Sequence, residues 1–410
     1  MDAFTSFDVL IPKGKYMTNW PVIACDQFTS QPEYWEKVRQ RAEGVPSAFH
    51  CILPESALAA ATEETYAGIR RSMEAYLSAG VFREYRDSFM YVERTLLDGS
   101  VRAGVVGVLD LEQYDYHSDA RSAVRATEKT VEERIPPRMK IRRGAKLELS
   151  HVLLLCDDDE MRLIEPLAEE KTRLKMVYDL DLMMGGGHIS DWLVQGTPAA
   201  AFRQRLREYA DRCAAKYGGE GAAPVLYAVG DGNHSLATAK ECYEEMKANS
   251  VSPESLRLAR YAMVELGNIH APSLKFEPIH RIVTGTDVDA LLEYAKGCTA
   301  PDGYPIGWVA GDRQGTIHLD KSRGEMEVGL LQKMLDEYLR DHAGSIDYIH
   351  GEDALRQLSA KENAVGFLLP AISKESLFRG IARDGVLPRK TFSMGESVGK
   401  RYYLEARRIR

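Results

Sequence analysis

Apolar runs of four to eight residues alternate along most of the chain with stretches whose apolar positions recur every three or four residues. Strand-length and helix-length patterns interleaved in this way predict a mixed α/β (α+β) fold. WPVIAC (20–25) reads as a strand passing into a helix. Ser30-Gln31-Pro32-Glu33 has the form of a capping box, which leaves Asp26 and Gln27 at the strand-to-helix turn. Residues 55–79 predict a second helix. FMYVERTLL and VRAGVVGVLDL flank Asp98-Gly99, a pair that tolerates positive φ, and so predict an antiparallel hairpin. HVLLLC, KMVYDLDL, RYAMVELGN and EPIHRIV predict further strands, with helices at 165–174 and 200–217 and a turn at Gly185-Gly186-Gly187. From about residue 286 the alternation resumes, with helices near 286–297, 328–340, 352–359 and 373–383 and strands at IGWVA, GTIHL, IDYIH and AVGFLL. The expected organisation is a main α/β domain over 1–285 and a C-terminal α/β domain over 286–410.

One stretch breaks the pattern. RSAVRATEKTVEERIPPRMKIRRGAK (121–146) is rich in Arg and Lys and carries a Pro-Pro pair that an uninterrupted helix does not tolerate, so it reads as a charged, broken helix or loop. Within it, Arg142 and Arg143 read as a solvated face, and Thr130-Val131-Glu132-Glu133 fits a capping box.

Charge and composition narrow the function classes. The chain has 410 residues, with 53 Lys+Arg against 61 Asp+Glu, giving a net charge of −8. That balance argues against a general nucleic-acid or anionic-membrane binder. Hydrophobic content of 44% and charged content of 28% set aside disorder, collagen and coiled coil. No apolar run approaches the ~18 residues that span a bilayer, and the N-terminal stretch has no apolar h-region, so a cytoplasmic protein is expected. The six cysteines, at 25, 51, 156, 213, 242 and 298, form no CxxC, so reduced thiols are expected, with Cys156 and Cys298 buried. Ten histidines include no HExxH, which disfavours a zinc hydrolase. His151 and His318 read as hydrogen-bonded core residues, and Ser393 lacks the GxSxG elbow of a serine hydrolase.

The segment richest in chemistry is Gly230-Asp231-Gly232-Asn233-His234-Ser235. It lies between the apolar strand PVLYAV and a helix with Leu236, Ala239, Tyr243 and Met246 near one face. Unpaired amides in a helix's first turn, with the positive end of its dipole, make such a junction a seat for phosphate. Gly230 and Gly232 allow a tight turn and close approach by a ligand, and His234 and Ser235 add donors. The plain alternative is that Asp231 or Asn233 caps the helix and the glycines only shape the turn. Neither GxxxxGK[ST] nor GxGxxG is present.

DGNHSLATAK is similar to the DGHHR-type signature of the domain-of-unknown-function family 1015, which in turn resembles the partition-protein-B (ParB)/sulfiredoxin-like superfamily that includes free-serine kinases. Four more stretches resemble that family in order: WPVIACDQFTSQPEYW, ATEKTVEERI, EPIHRIV, and a C-terminal third from IDYIHGEDAL through AVGFLLPAISKESL to LPRKTFSMGE. The resemblance implies a ParB/sulfiredoxin-like core with a mixed sheet. It also implies one cleft holding Asp26, Glu128, Thr130, Arg134, Asp231, Gly232, Asn233, His234, His280 and Arg281. The sequence departs from the pattern at Ala24-Cys25 before Asp26, and at Asn233-His234-Ser235, where the arginine that would grip a phosphate is missing.

These readings converge on a Mg²⁺-assisted phosphotransferase (kinase-like) or nucleotide hydrolase acting on a small polar metabolite. The nucleoside triphosphate is expected on the turn 230–235 with Arg134 and Arg281 on its charge. Glu128 and Asp231 divide metal ligation and general-base work, and His234 is a donor. The alternatives are a non-catalytic nucleotide- or anion-binding switch, and a small-molecule enzyme that uses no phosphate. Nothing in the sequence settles the oligomeric state.

Overall fold

Asp98-Gly99 closes the hairpin it predicts. Phe82–Thr95 and Val101–Asp110 pair antiparallel with Thr95 opposite Val101. The connection is longer than a two-residue turn: Gly99 takes φ +79° and donates to Leu96, while the Asp98 carboxylate accepts from the Ser100 amide. In the computed structural model this hairpin is the centre of a large mixed sheet. The structure describes residues 2–218, 223–249, 251–324, 326–388, 390–395 and 399–410.

Two compact units are formed. The first comprises Met1–Ala126, Thr130–Leu274 and Glu396–Arg410, the second Thr127–Lys129 and Lys275–Gly395. The sheet of the first unit runs in the order Tyr114–Asp115, Val124–Ala126, Tyr227–Asp231, Leu153–Cys156, Tyr261–Asn268, Val101–Asp110, Phe82–Thr95, Phe7–Pro12, Ala406–Arg408 and Leu147–Leu149. Tyr227–Asp231 is parallel to Val124–Ala126 and antiparallel to Leu153–Cys156, so the sheet is mixed, as the interleaved pattern implies. The hairpin Lys175–Asp181 and His188–Val194 joins through Phe82–Thr95. Against the sheet packs a core containing Trp20, Val22, Val38, Val92, Val106, Met263 and Leu404. Each such side chain contributes ~1.5–3 kcal/mol on burial.

The second unit has its own sheet, ordered Arg313–Leu319, Thr299–Ala310, Ala364–Leu368, Phe276–Thr284 and Ser345–His350, with Phe392–Met394 also on Phe276–Thr284. Its helices Val288–Lys296, Glu327–Leu339, Glu352–Ser359 and Lys374–Asp384 lie where the periodicity predicts them. Among the described residues no helix is long and apolar enough to cross a membrane.

Several local expectations are corrected. The box at Ser30–Glu33 does not form: the helix is Pro32–Ala42, capped at Gln31 without a side-chain bond. The box at Thr130–Glu133 is also absent, because the short 3₁₀ turn there starts after Val131 and Thr130 Oγ1 is left without a partner. A capping box does form between Thr62 and Thr65, and it splits the expected helix 55–79 into Glu55–Leu58 and Glu63–Ser78. In the basic stretch the helix Ile135–Arg142 keeps both prolines in its first turn, where no amide is needed. Arg142 is not a solvated face, since its side chain is 17% exposed and pairs with buried Glu148, whereas Arg143 stays half exposed beside Glu245. His318 is exposed and so is no core residue, whereas Cys156 and Cys298 are buried as expected. Of the last resembling motif, Arg389 and Glu396 lie outside the described residues.

Candidate functional site

The strand Tyr227–Asp231 ends in a bulge. Val229 opposes Leu154 and Asp231 opposes Leu153, so Gly230 is the extra residue, and a bulge there re-aims the side chain that follows. Gly232 then turns the chain with φ +79°, and the helix Asn233–Ala248 begins. Neither Asp231 nor Asn233 caps it with a side chain. The Asp231 carboxylate accepts instead from its own neighbour, the Gly232 amide, at 2.9 Å. The first intrahelical bond is Leu236 N–H to Gly232 O at 3.0 Å, so the amides of Asn233, His234 and Ser235 have no acceptor within the helix. Asn233 Oδ1 is buried without a partner.

Charged side chains come to this corner from four separate stretches. Lys400 Nζ lies 3.1 Å from Asp231 Oδ2. It is placed there because Tyr402–Tyr403, from the chain's end, pairs with Val22–Ile23, the strand that carries Asp26 just beyond it. Asp26 accepts from Gln27 Nε2 at 3.0 Å and stands 3.9 Å from His151 Nε2. Burial raises its proton affinity, but His151, Gln27 and Lys400 outweigh that and hold the carboxyl below the usual range. His151 Nδ1 meets the Tyr403 hydroxyl at 2.7 Å, and Nε2 lies 3.4 Å from Ser235 Oγ. Asp26 and Ser235 thus address the same ring nitrogen. A hydrolase triad needs the carboxylate on the opposite one, so this is no Ser-His-Asp relay.

His234 binds the other side of the helix start to the loop after Thr130: its Nε2 accepts from the Val131 amide at 3.2 Å. In the neutral ring the proton therefore sits on Nδ1. Burial, together with Arg138 and Arg134, lowers its pKa to about 4. Arg138 pairs with Glu55 at 3.0 Å and is 16% exposed, while Arg134 is more open at 55%. Cys25 and Cys51, nearby, are no nucleophiles: burial pushes both thiols up to about 12.

The structure thus brings Asp26, Arg134, Asp231, Gly232, Asn233, His234 and Ser235 together in the first unit. Thr130 also belongs there, 7% exposed. Glu128, His280 and Arg281 belong to the second unit. There Glu128 Oε1 accepts from the Thr391 amide at 3.1 Å, beside a parallel bridge to Leu387. His280 Nδ1 accepts from the Leu369 amide, and burial lowers its pKa. Arg281 is fully buried, donating to Gln332, Ile279 O and Lys390 O with the Tyr348 ring 4.6 Å away. Among the described residues no three His, Cys, Asp or Glu side chains converge as metal ligands.

Sequence reading missed Lys400, Tyr403 and Glu55, read His151 only as a core residue, and passed over Arg138 in favour of Arg134. The tail RYYLEARR carries no clear alternation, and its charges imply partners only once it is known to be buried.

Solved structures similar to the chain include a free serine kinase in complex with AMP, at 13% identity over 72% of this chain and 90% of that one, with a TM-score of 0.37. A conserved hypothetical protein from Pyrococcus furiosus follows at 12% identity, covering 73% and 93%, with a TM-score of 0.34. SbnI with a C-terminal truncation, from Staphylococcus aureus, stands at 11%, covering 73% and 85%, with a TM-score of 0.37. No curated protein matches the chain. Residues 7–341 match the family described as protein of unknown function (DUF1015), and the chain belongs to that family.

Proposed function

We propose that the first unit seats the phosphate end of a nucleotide on the turn 230–235 and transfers or hydrolyses its terminal phosphoryl group. The observation that carries this reading is a helix start whose Asn233–Ser235 amides have no acceptor within the helix, with Lys400 paired to Asp231 just before it and Arg138 and Arg134 acting on His234. A helix start alone stabilises an exposed anion by only ~0.3–1 kcal/mol, whereas a hydrogen bond to a charged group contributes ~1.5–3 kcal/mol. The cation missing from the helix start is thus supplied from the chain's far end. In this reading the phosphate charge is met on the protein side by Lys400, Arg134 and Arg138. Asp26, held ionised, is available to accept a proton from an attacking hydroxyl, as a weak base whose lowered proton affinity makes it a positioner of that hydroxyl as much as an acceptor. Asp231 positions Lys400, and neutral His234 offers Nδ1–H as a donor.

A second reading, an anion-binding switch without turnover, is favoured by the commitment of both Asp231 oxygens to Gly232 and Lys400. One experiment separates them. The protein is incubated with nucleoside triphosphates and a panel of small metabolites, and products are read by mass spectrometry alongside nucleotide binding. Turnover that Asp26→Asn abolishes while binding persists supports the enzyme. Binding without product supports the switch, and absence of binding by every nucleotide sinks both. Lys400→Met should weaken binding ~10- to 100-fold, equivalent to ~1.4–2.8 kcal/mol.

A further inference from the structure

Below the first turns of the helix Asn233–Ala248 lies a cavity of about 140 Å³, wholly within the first unit. Leu53, Leu58, Ile141, Leu149, Leu236 and Met263 give it apolar walls, while Ser235, His151 and Tyr403 also line it, so it adjoins the network that reaches Asp26. Its charged lining is Arg138 with Glu55, which pair with each other at 3.0 Å, and Arg142 with Glu148.

Charge and hydrogen-bond counts at Arg142 both fall one short. Glu148 is 6% exposed; its Oε1 accepts from Arg142 Nη1 at 2.6 Å, and its Oε2 accepts from Arg407 Nε and from the Met263 amide. One carboxylate therefore stands between two guanidinium groups, and this trio keeps a surplus positive charge. Arg407 Nη2 donates to the Leu258 and Tyr261 carbonyls. Arg142 Nη2, by contrast, is buried with no acceptor. A buried charged donor left unpaired is costly enough to call for an explanation.

We infer that this cavity binds a small monocarboxylate, its carboxylate on Arg142 Nη2 and its hydrocarbon body against the Leu and Ile walls. The size follows from the volume: an apolar cavity of about 150 Å³ holds benzene, so a ligand of roughly five to eight non-hydrogen atoms fits. One negative charge cancels the surplus, and one acceptor satisfies the idle nitrogen. As a binding site the cavity stands by itself, while its use as the pocket for the phosphoryl acceptor rests on the reading proposed above.

The test titrates the full chain with butyrate and isovalerate, with the corresponding primary amides as uncharged controls, and separately with pyrophosphate. The acids should bind at least tenfold more tightly than the amides. Arg142→Lys keeps a cation for Glu148 but removes Nη2, and should weaken acid binding at least tenfold while leaving pyrophosphate binding unchanged. Ile141→Phe, which fills the cavity without touching the ion pairs, should abolish acid binding in a protein that still unfolds cooperatively. Equal binding of acids and amides, no binding of either, or acid binding indifferent to both substitutions would overturn the inference. Acid binding without pyrophosphate binding would uphold the cavity and remove only its link to phosphoryl transfer.

Discussion

His234 stays neutral across ordinary pH because burial and the arginines at 138 and 134 all oppose a second proton. Its pKa near 4 lies below the unfolded value near 6.5, so between these limits the unfolded chain binds more protons than the folded one. The stability associated with this residue is complete above about 6.5 and is lost as pH falls toward 4. Protonation also ends the bond from the Val131 amide, because the ring nitrogen would then be a donor. Nitrogen-15 NMR of the imidazole should show the Nδ1–H tautomer and an apparent pKa near 4. A midpoint near 6.5 would show that the ring is solvated and detached from Val131. At this scale local motifs pointed to Asp231 and His234, and the family resemblance added Asp26 and Arg134; all four lie in the first unit. Lys400 and Tyr403 were invisible because they meet Asp231 and His151 across 169 and 252 positions of chain, which no local spacing encodes.

The junction of the strand Tyr227–Asp231 with the helix Asn233–Ala248 depends on Gly232. A left-handed backbone there costs a residue with a Cβ ~1–2 kcal/mol. The added carbon would also meet Val152 at 3.0–3.1 Å. Gly185 has a similar φ, +76°, but its Cβ would enter open space. Gly232→Ala should therefore destabilise the first unit by ~2 kcal/mol and weaken phosphate binding, whereas Gly185→Ala should cost ~1 kcal/mol and leave phosphate binding intact; equal effects would mean that the turn does not shape the seat. Elements were legible in the sequence where period and punctuation agreed, as in the Asp98-Gly99 hairpin and the helix with Leu236, Ala239, Tyr243 and Met246 buried together. They were misread where a cap motif was taken alone. Ser30 is followed by Pro32, which starts the helix after Gln31, and the Thr62–Thr65 pair broke a stretch whose apolar period ran on without a gap.

For the molecule as a whole, the decisive feature is the return of residues 399–410 to the first unit, where Ala406–Arg408 bridges Phe7–Pro12 and Leu147–Leu149. This brings Arg401 onto Glu405 and Glu265, and Arg407 onto Glu148, all of them buried. Neither RYYLEARRIR nor the opening strand Phe7–Pro12 carries a period distinctive enough to announce a place in a sheet built from distant strands. Arg407→Met removes one partner of a buried pair, for which the usual cost is ~3–5 kcal/mol, here lessened because Arg142 and the Met263 amide still hold Glu148. Denaturant unfolding should show a loss of ~3 kcal/mol in the first unit, and an unchanged transition would mean that the tail is not integral to it.

The phosphate seat itself is tested most directly by titrating isotope-labelled protein with pyrophosphate and following backbone amide shifts. The account predicts saturable changes that are largest at Asn233, His234 and Ser235 and that diminish in Lys400→Met. Shifts that spare these three amides in folded protein, or that persist at full strength without the Lys400 ammonium, would contradict it.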